Sequence, residues 1–184
     1  FVLTGGEPLL QKNILGLLES AQSEFRYTQI ESNGTLITNI PKDTTLVISP
    51  KCSEKNGVAI KYLTPRKEVL DRADCLKFVM SSDLSSPYSS IPEWALDWRN
   101  ETGKQVFVSP MNMYKKAPRK FDEEYSVSNI NIKERSNIDE VISFWEDGLL
   151  DMPENQKNHE YTAKYCVDNG LIFNLQQHLY AGMA

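Results

Sequence analysis

Short apolar runs alternate with amphipathic stretches along this chain, and the alternation predicts its elements. Phe1-Val2-Leu3 is apolar and is followed directly by two glycines, the pattern of a buried strand ending in a sharp turn. Leu9, Leu10, Ile14, Leu17 and Leu18 then recur at helical spacing, with Glu19, Gln22 and Glu24 opposite, which predicts an amphipathic helix ending near Phe25. Residues 27–32 alternate about Ile30 and predict a strand closed by Asn33-Gly34. Thr44-Thr45-Leu46-Val47-Ile48 predicts another, closed by Ser49-Pro50. Next come a helix over 65–73 with proline near its start, a strand over 75–80, and a helix over 92–102 stopped by Gly103. A strand over 106–108 is closed again by Ser109-Pro110. A helix over 153–169, capped by Asp151 and stopped by Gly170, precedes a last strand over 171–175.

Between 111 and 151 this rhythm breaks. Lys115, Lys116, Arg119 and Lys120 lead into Asp122, Glu123 and Glu124, which reads as a solvated loop or excursion. Residues 138–150, with Val141, Ile142, Phe144 and Trp145, suit a short helix. Strands alternating with helices imply parallel βαβ units, hence an α/β fold: a parallel barrel, or part of one, with its ligand rim at the carboxyl ends of the strands. No internal repeat interrupts the single domain expected over 1–184, apart from the excursion at about 114–151.

Composition narrows the function classes. A chain of 184 residues with 40% hydrophobic and 24% charged positions suits one soluble domain with a core. The net charge of −5 gives no electrostatic basis for nucleic-acid binding. No apolar run approaches the ~20 residues that span a bilayer, and no signal peptide is visible. Cys52, Cys75 and Cys166 stand at no metal-ligand spacing, which suggests a reducing, cytoplasmic setting in which each is a small buried hydrophobe. The chain opens with Phe1 already inside a strand-like run, so it is expected to lack its true N-terminus.

The candidate chemistry lies where strands end. Thr4-Gly5-Gly6-Glu7-Pro8 couples a glycine turn, which lets a ligand lie against the backbone, to the amides of a following helix and to a carboxylate. Glu31-Ser32-Asn33-Gly34-Thr35, Ser49-Pro50-Lys51, Ser109-Pro110-Met111-Asn112 and Gln176-Gln177-His178 end later strands. Each alone is ordinary turn chemistry. All five at the same end of successive strands point to one shared site. Lys77 sits in an apolar strand and needs a partner or a ligand there. His159 reads as solvated, His178 as structural or catalytic, and Trp94, Trp98 and Trp145 as helix-face core.

Gly5-Gly6-Glu7-Pro8 resembles the S-adenosylmethionine-binding motif of the radical SAM superfamily. The ordered set, joined by Leu76-Lys77-Phe78-Val79 and by the tail Gln176-Gln177-His178-Leu179-Tyr180, resembles the 7-carboxy-7-deazaguanine synthases of queuosine and deazapurine biosynthesis. That resemblance covers 1–111 and about 154–184. It implies the partial (β/α)6-type barrel of those enzymes, with the first βα unit missing. It also implies conversion of 6-carboxy-5,6,7,8-tetrahydropterin to 7-carboxy-7-deazaguanine with loss of ammonia. Under it, Thr4 and Ala184 match substrate positions. Gly5, Gly6, Glu7, Ser32, Asn33, Ser49, Pro50, Lys51, Ser109, Pro110, Met111 and Asn112 match the SAM wall. A cytoplasmic homodimer acting on a small pterin, with neither nucleic acid nor membrane as partner, is implied too.

Two departures limit it. The Cys-x3-Cys-x2-Cys loop that holds the 4Fe–4S cluster, and the threonine that holds Mg²⁺, are absent and are expected upstream of Phe1. The chain alone is therefore expected to be inactive, with no catalytic residue or metal ligand of its own. The excursion is also longer than the family's connection, as a surface insertion or a dimer contact. Two other readings share the glycine motif: an activase that generates a glycyl radical on a partner protein, and a cluster-less SAM- or pterin-binding domain.

Overall fold

The computed structural model describes residues 1–36, 39–115 and 150–176. Most of the predicted excursion and its short helix, and the tail with Gln177, His178 and Ala184, lie outside the described residues.

Six strands form one sheet: β1 (Val2–Leu3), β2 (Thr28–Ser32), β3 (Thr44–Ile48), β6 (Cys75–Met80), β7 (Gln105–Pro110) and β8 (Ile172–Phe173). They pair in that order, and every pairing is parallel. Helices α1 (Ile14–Glu24), α2 (Lys67–Arg72), α3 (Glu93–Thr102) and α4 (Met152–Asn169) supply the crossovers. This is the α/β winding of a barrel left open, with all described carboxyl strand ends on one rim.

Alternation along the strands decides which face is covered. Ile30, Leu46, Ile48, Leu76, Phe78, Met80, Val106 and Val108 are buried, and they share a core with Ile14 and Leu18 of α1, Val69 of α2, Ala95 and Trp98 of α3 and Cys166 of α4. Most positions between them are more open: Gln29, Glu31, Thr45, Cys75, Lys77, Val79 and Phe107 are half-buried, while Val47 is buried as well. The helices therefore cover one face of the sheet and leave a partly polar face open. The edge strand β1 leaves Val2 54% exposed.

The helix boundaries follow their caps. Asp151 caps α4 by accepting from the N–H of Glu154, and Gly170 ends it in the left-handed region at φ 63°. Gly103 ends α3 likewise at φ 68°.

Two expectations are corrected. The continuous helix from Leu9 is instead a 3₁₀ turn at Pro8–Leu10, a break, and α1 beginning at Ile14. Pro8 opens the turn, and the Glu7 carboxylate holds its first amide. Between β3 and α2 the chain also makes an unexpected antiparallel hairpin, β4 (Cys52–Lys55) with β5 (Val58–Tyr62). Asn56 and Gly57 both have positive φ at its tip, as a tight two-residue turn requires. Its strands escaped the hydrophobic pattern because Ser53, Lys55 and Lys61 keep one side in water.

Gly34 shows why a motif glycine is fixed by packing. Its φ is +79°, and a Cβ there would stand 2.9 Å from Cγ2 of Ile48 and 3.2 Å from Cγ of Pro65. Replacing Gly34 by alanine should cost about 2 kcal/mol, from left-handed strain and this contact together, read as a lower urea midpoint with unchanged m-value. A midpoint equal to that of the unsubstituted protein would contradict the packing account.

Candidate functional site

The rim brings the predicted strings side by side. Thr4, Gly5 and Gly6 follow β1, Ser32 and Asn33 end β2, Ser49–Lys51 follow β3, and Ser109–Asn112 end β7. The pairing order places the first three groups on adjacent strands, with β6 separating them from the fourth. Backbone bonds lace the ends together: the N–H of Ser49 donates to the Ser32 carbonyl at 2.7 Å, and that of Met111 to the Met80 carbonyl at 2.7 Å. Thr4, Gly5, Gly6 and Lys51 are exposed, while Ser32, Pro50, Ser109 and Pro110 are buried and support the rim from beneath. Gly5 has φ +119°, and a Cβ at Gly5 or Gly6 would meet nothing within 4 Å. The backbone above the β1 end is thus open to a ligand.

Glu7 is held by three donors of the protein itself. Its Oε1 accepts from the N–H of Leu9 at 3.1 Å and the hydroxyl of Ser32 at 2.9 Å, and its Oε2 accepts from the N–H of Asn33 at 2.8 Å. Ser32 Oγ in turn accepts from the N–H of Gly34 at 3.1 Å. The carboxylate is a cross-link between two strand ends, and it takes one of the turn amides expected to meet an anion. Asn33 is likewise engaged locally, its Oδ1 accepting from the N–H of Thr35 at 2.9 Å and from its hydroxyl at 2.6 Å.

Lys77 finds its partner on the open face. Its Nζ reaches across β3 to Glu31, 3.1 Å from Oε2 and 3.2 Å from Oε1, with side chains 23% and 20% exposed. Gln29 donates to Glu31 Oε1 at 3.2 Å and accepts from the Tyr27 hydroxyl at 2.8 Å, so a polar ladder climbs this face toward the rim. Glu31 and Lys77 stand 46 residues apart in sequence, and only the strand order joins them. Lys51 is exposed and donates to Ser49 Oγ at 3.2 Å. Desolvation against the rim, then the Lys77 charge, hold its amine below the ordinary lysine range, while Glu31 and Glu7 oppose that shift.

At the β7 end, Asn174 donates to Ser109 Oγ at 2.9 Å, and Asn112 donates to Gln176 Oε1. Sequence reasoning missed the residues behind this segment. Asn155 and Asn158 of α4, 1% and 3% exposed, grip its main chain and that of Ser82. Two polar residues three apart on the core side of a helix were the available signal.

The remaining chemistry lies elsewhere. Cys52 and Cys166 are buried, Cys75 is half-buried, and all three are free thiols. Burial, followed by the charges of Asp74 and Glu31, pushes Cys75 up to about 11. Among the described residues no three His, Cys, Asp or Glu side chains gather as a metal site. His159 is half-buried rather than solvated, sits edge-on to Phe173 at 6.4 Å, and titrates below the usual histidine range because of that burial. A groove of about 340 Å³ lined by Ile60, Tyr62, Pro87, Pro92 and Trp94 contains no rim residue.

No protein-family model matches the chain. The 7-carboxy-7-deazaguanine synthase of Rickettsia prowazekii is 34% identical over 184 residues, covering 99% of this chain and 58% of that protein. The chain is similar to the 7-carboxy-7-deazaguanine synthases along its whole length. The synthase of Aquifex aeolicus is 38% identical over 84 residues, covering 46% of this chain and 37% of its own length. That of Clostridium acetobutylicum is 33% identical over 120 residues, covering 59% and 50%. The crystal structure of QueE from Escherichia coli shares the fold, with a TM-score of 0.51 at 14% identity, over 95% of this chain and 55% of that one. The chain thus spans under three-fifths of the R. prowazekii synthase, whose match nonetheless runs from end to end of it.

Along that shared length the Glu7 cross-link has a measurable consequence. Glu7→Gln puts an amide N–H where the N–H of Asn33 or Leu9 must donate, so one donor loses its acceptor. Unfolding in urea should show a loss of about 1.5–3 kcal/mol. Unchanged stability would show that the carboxylate does not hold the two strand ends. A thiol reagent at pH 8 should label Cys75 slowly in the native protein and quickly in urea. Because its native thiol titrates near 11 rather than 9.0, the fold keeps a proton that the unfolded chain loses, and this group's contribution to stability falls as pH rises from 9 to 11. Rapid native labelling at pH 8 would contradict that burial.

Proposed function

We propose that this chain forms the SAM- and pterin-binding wall of a radical SAM 7-carboxy-7-deazaguanine synthase. The reaction is conversion of 6-carboxy-5,6,7,8-tetrahydropterin to 7-carboxy-7-deazaguanine with release of ammonia. The observation that carries this reading is the uncovered backbone of Gly5 and Gly6, laced by Glu7 and Ser32 to the Ser49–Lys51 strand end. Its support is the similarity to the 7-carboxy-7-deazaguanine synthases.

The residues suit SAM. Gly5 and Gly6 leave room for a ligand flat against the chain, Lys51 offers a cation to its methionyl carboxylate, and Met111 and Asn112 give a half-buried edge for the adenine. Thr4, exposed at the turn, faces the pterin in this reading. Ala184, outside the described residues, completes the substrate contact. The Glu31–Lys77 pair keeps the floor of the site polar and internally neutralised.

The residues do not fit a 4Fe–4S cluster. Cys52 lies on the hairpin, Cys75 on β6 and Cys166 on α4, with two of the three buried. No step is assigned to a cluster held by these residues. This wall binds, orients and excludes water, so that the reacting hydrogen lies within van der Waals reach of its acceptor. A cytoplasmic homodimer, Mg²⁺-dependent and without nucleic-acid or membrane partners, completes the reading. Among the described residues no helix is long and apolar enough to cross a membrane, and the net charge is −5.

The test is anaerobic turnover. Full-length protein reconstituted with iron and sulfide, then given SAM, Mg²⁺ and the carboxytetrahydropterin, should release the deazaguanine and ammonia in equal amounts. SAM cleavage with the pterin unchanged would overturn the substrate assignment. Lys51→Met should weaken SAM binding about tenfold, ~1.4 kcal/mol, in equilibrium dialysis. An unchanged Kd would remove Lys51 from the site.

A further inference from the structure

Three buried polar positions, Asn155, Asn158 and Thr162, line one side of α4 with Cys166, at successive spacings of a helix face turned to the core. Asparagine is a poor residue to bury, because its amide loses water on both its oxygen and its nitrogen. Here each amide is satisfied by main chain from the rim. Asn155 Oδ1 accepts from the N–H of Met113 at 2.6 Å, and its Nδ2 donates to the carbonyl of the same residue at 3.1 Å. One side chain thus takes both backbone groups of one residue, as a neighbouring strand would. Asn158 Nδ2 donates to the Met111 carbonyl at 2.9 Å, while its Oδ1 accepts from the N–H and the hydroxyl of Ser82, each at 2.8 Å.

The location explains why such a grip is needed. β7 ends at Pro110 and β6 at Met80, and beyond them the sheet ladder stops. Met111 keeps one bond to the Met80 carbonyl, and Met113 accepts one from the N–H of Asp151. The two asparagines add four bonds from the side chains of a single helix to 111–113 and Ser82 (Asn155 to Met113 twice, Asn158 to Met111, and Ser82 N–H to Asn158). A fifth comes from the Ser82 hydroxyl.

We propose that Asn155 and Asn158 are positioning residues, which set the main-chain path of Met111 to Met113 and so fix where Met111 and Asn112 stand on the cofactor rim. This inference rests on the proposed role of that rim in holding SAM. Aliphatic residues could fill the same space against α4. Only groups that donate and accept can dictate which peptide of the loop sits opposite each turn of the helix. Asn158 also ties the β6 and β7 ends to one point, so the two strand ends keep a fixed spacing.

The experiment compares full-length, reconstituted Asn155→Asp, Asn158→Asp and Ser82→Ala with the unsubstituted protein, measuring KM for SAM and for the pterin, kcat and the urea midpoint. Aspartate keeps the acceptor and removes the donor, so the bond to Met113 or Met111 becomes a repulsion between oxygens. KM for SAM should rise on the order of tenfold in both aspartate variants, the scale of one misplaced contact. Pterin KM and kcat at saturating SAM should stay within about twofold. Inactive or unfolded enzyme lowers the apparent kcat but leaves KM alone, so a merely structural role predicts an unchanged KM for SAM. Ser82→Ala, which spares both asparagines, should raise that KM two- to threefold in a fully folded protein, and it decides the question if the aspartate variants do not fold. Unchanged SAM KM beside normal turnover in the unsubstituted protein would overturn the positioning role alone. No SAM affinity in the unsubstituted protein would overturn the cofactor reading as well.

Discussion

The Glu7 carboxylate joins the turn after β1 to the end of β2, across 25 residues of sequence. Three donors converge on it: the Leu9 amide, the Ser32 hydroxyl and the Asn33 amide. Parallel strands leave their carboxyl ends as separate loops that no hairpin connects, so a rim built from them needs cross-links of this kind. The same lacing continues with Ser49 on Ser32, Met111 on Met80, Asn174 on Ser109 and the two asparagines of α4. Each bond is modest, yet together they turn independent turns into one surface.

That constraint bears on how the site divides its labour. Buried Ser32, Ser109 and Pro110 support the rim, Thr4, Gly5, Gly6 and Lys51 are exposed on it, and Met111 and Asn112 are half-buried. Glu31 and Lys77 neutralise each other on the open face below. A half-buried pair of this kind contributes little net stability, but it makes that face more polar than the aliphatic face beneath the helices. The contrast between the two faces is what makes one side of the sheet a core and leaves the other half-open.

Much of the fold was legible in the sequence because its signals are local. Buried strand runs such as Leu46 to Ile48, the Asp151 cap and the glycines at 103 and 170 each act within one turn of chain. The start of α1 was misplaced because Leu9 and Leu10 keep helical spacing while Pro8 and Glu7 wind them into a 3₁₀ turn. The hairpin was missed because its strands carry charge on the solvent side, although Asn56-Gly57 was a visible turn signal. The order of the site strings was readable, and so was the common end of the four that lie wholly within the described residues. The partners were not: Glu7 with Ser32, Lys77 with Glu31 and Asn155 with Met113 meet only once the strand order is known, and nothing local records it.

We propose that these strand ends form one SAM-binding rim. The most direct measurement is a crystal structure of the full-length protein grown anaerobically with SAM. The ligand should lie against the Gly5–Gly6 backbone, with its carboxylate beside the Lys51 amine and its adenine beside Met111 and Asn112. SAM bound away from these strand ends, or at the groove beside Trp94, would contradict it.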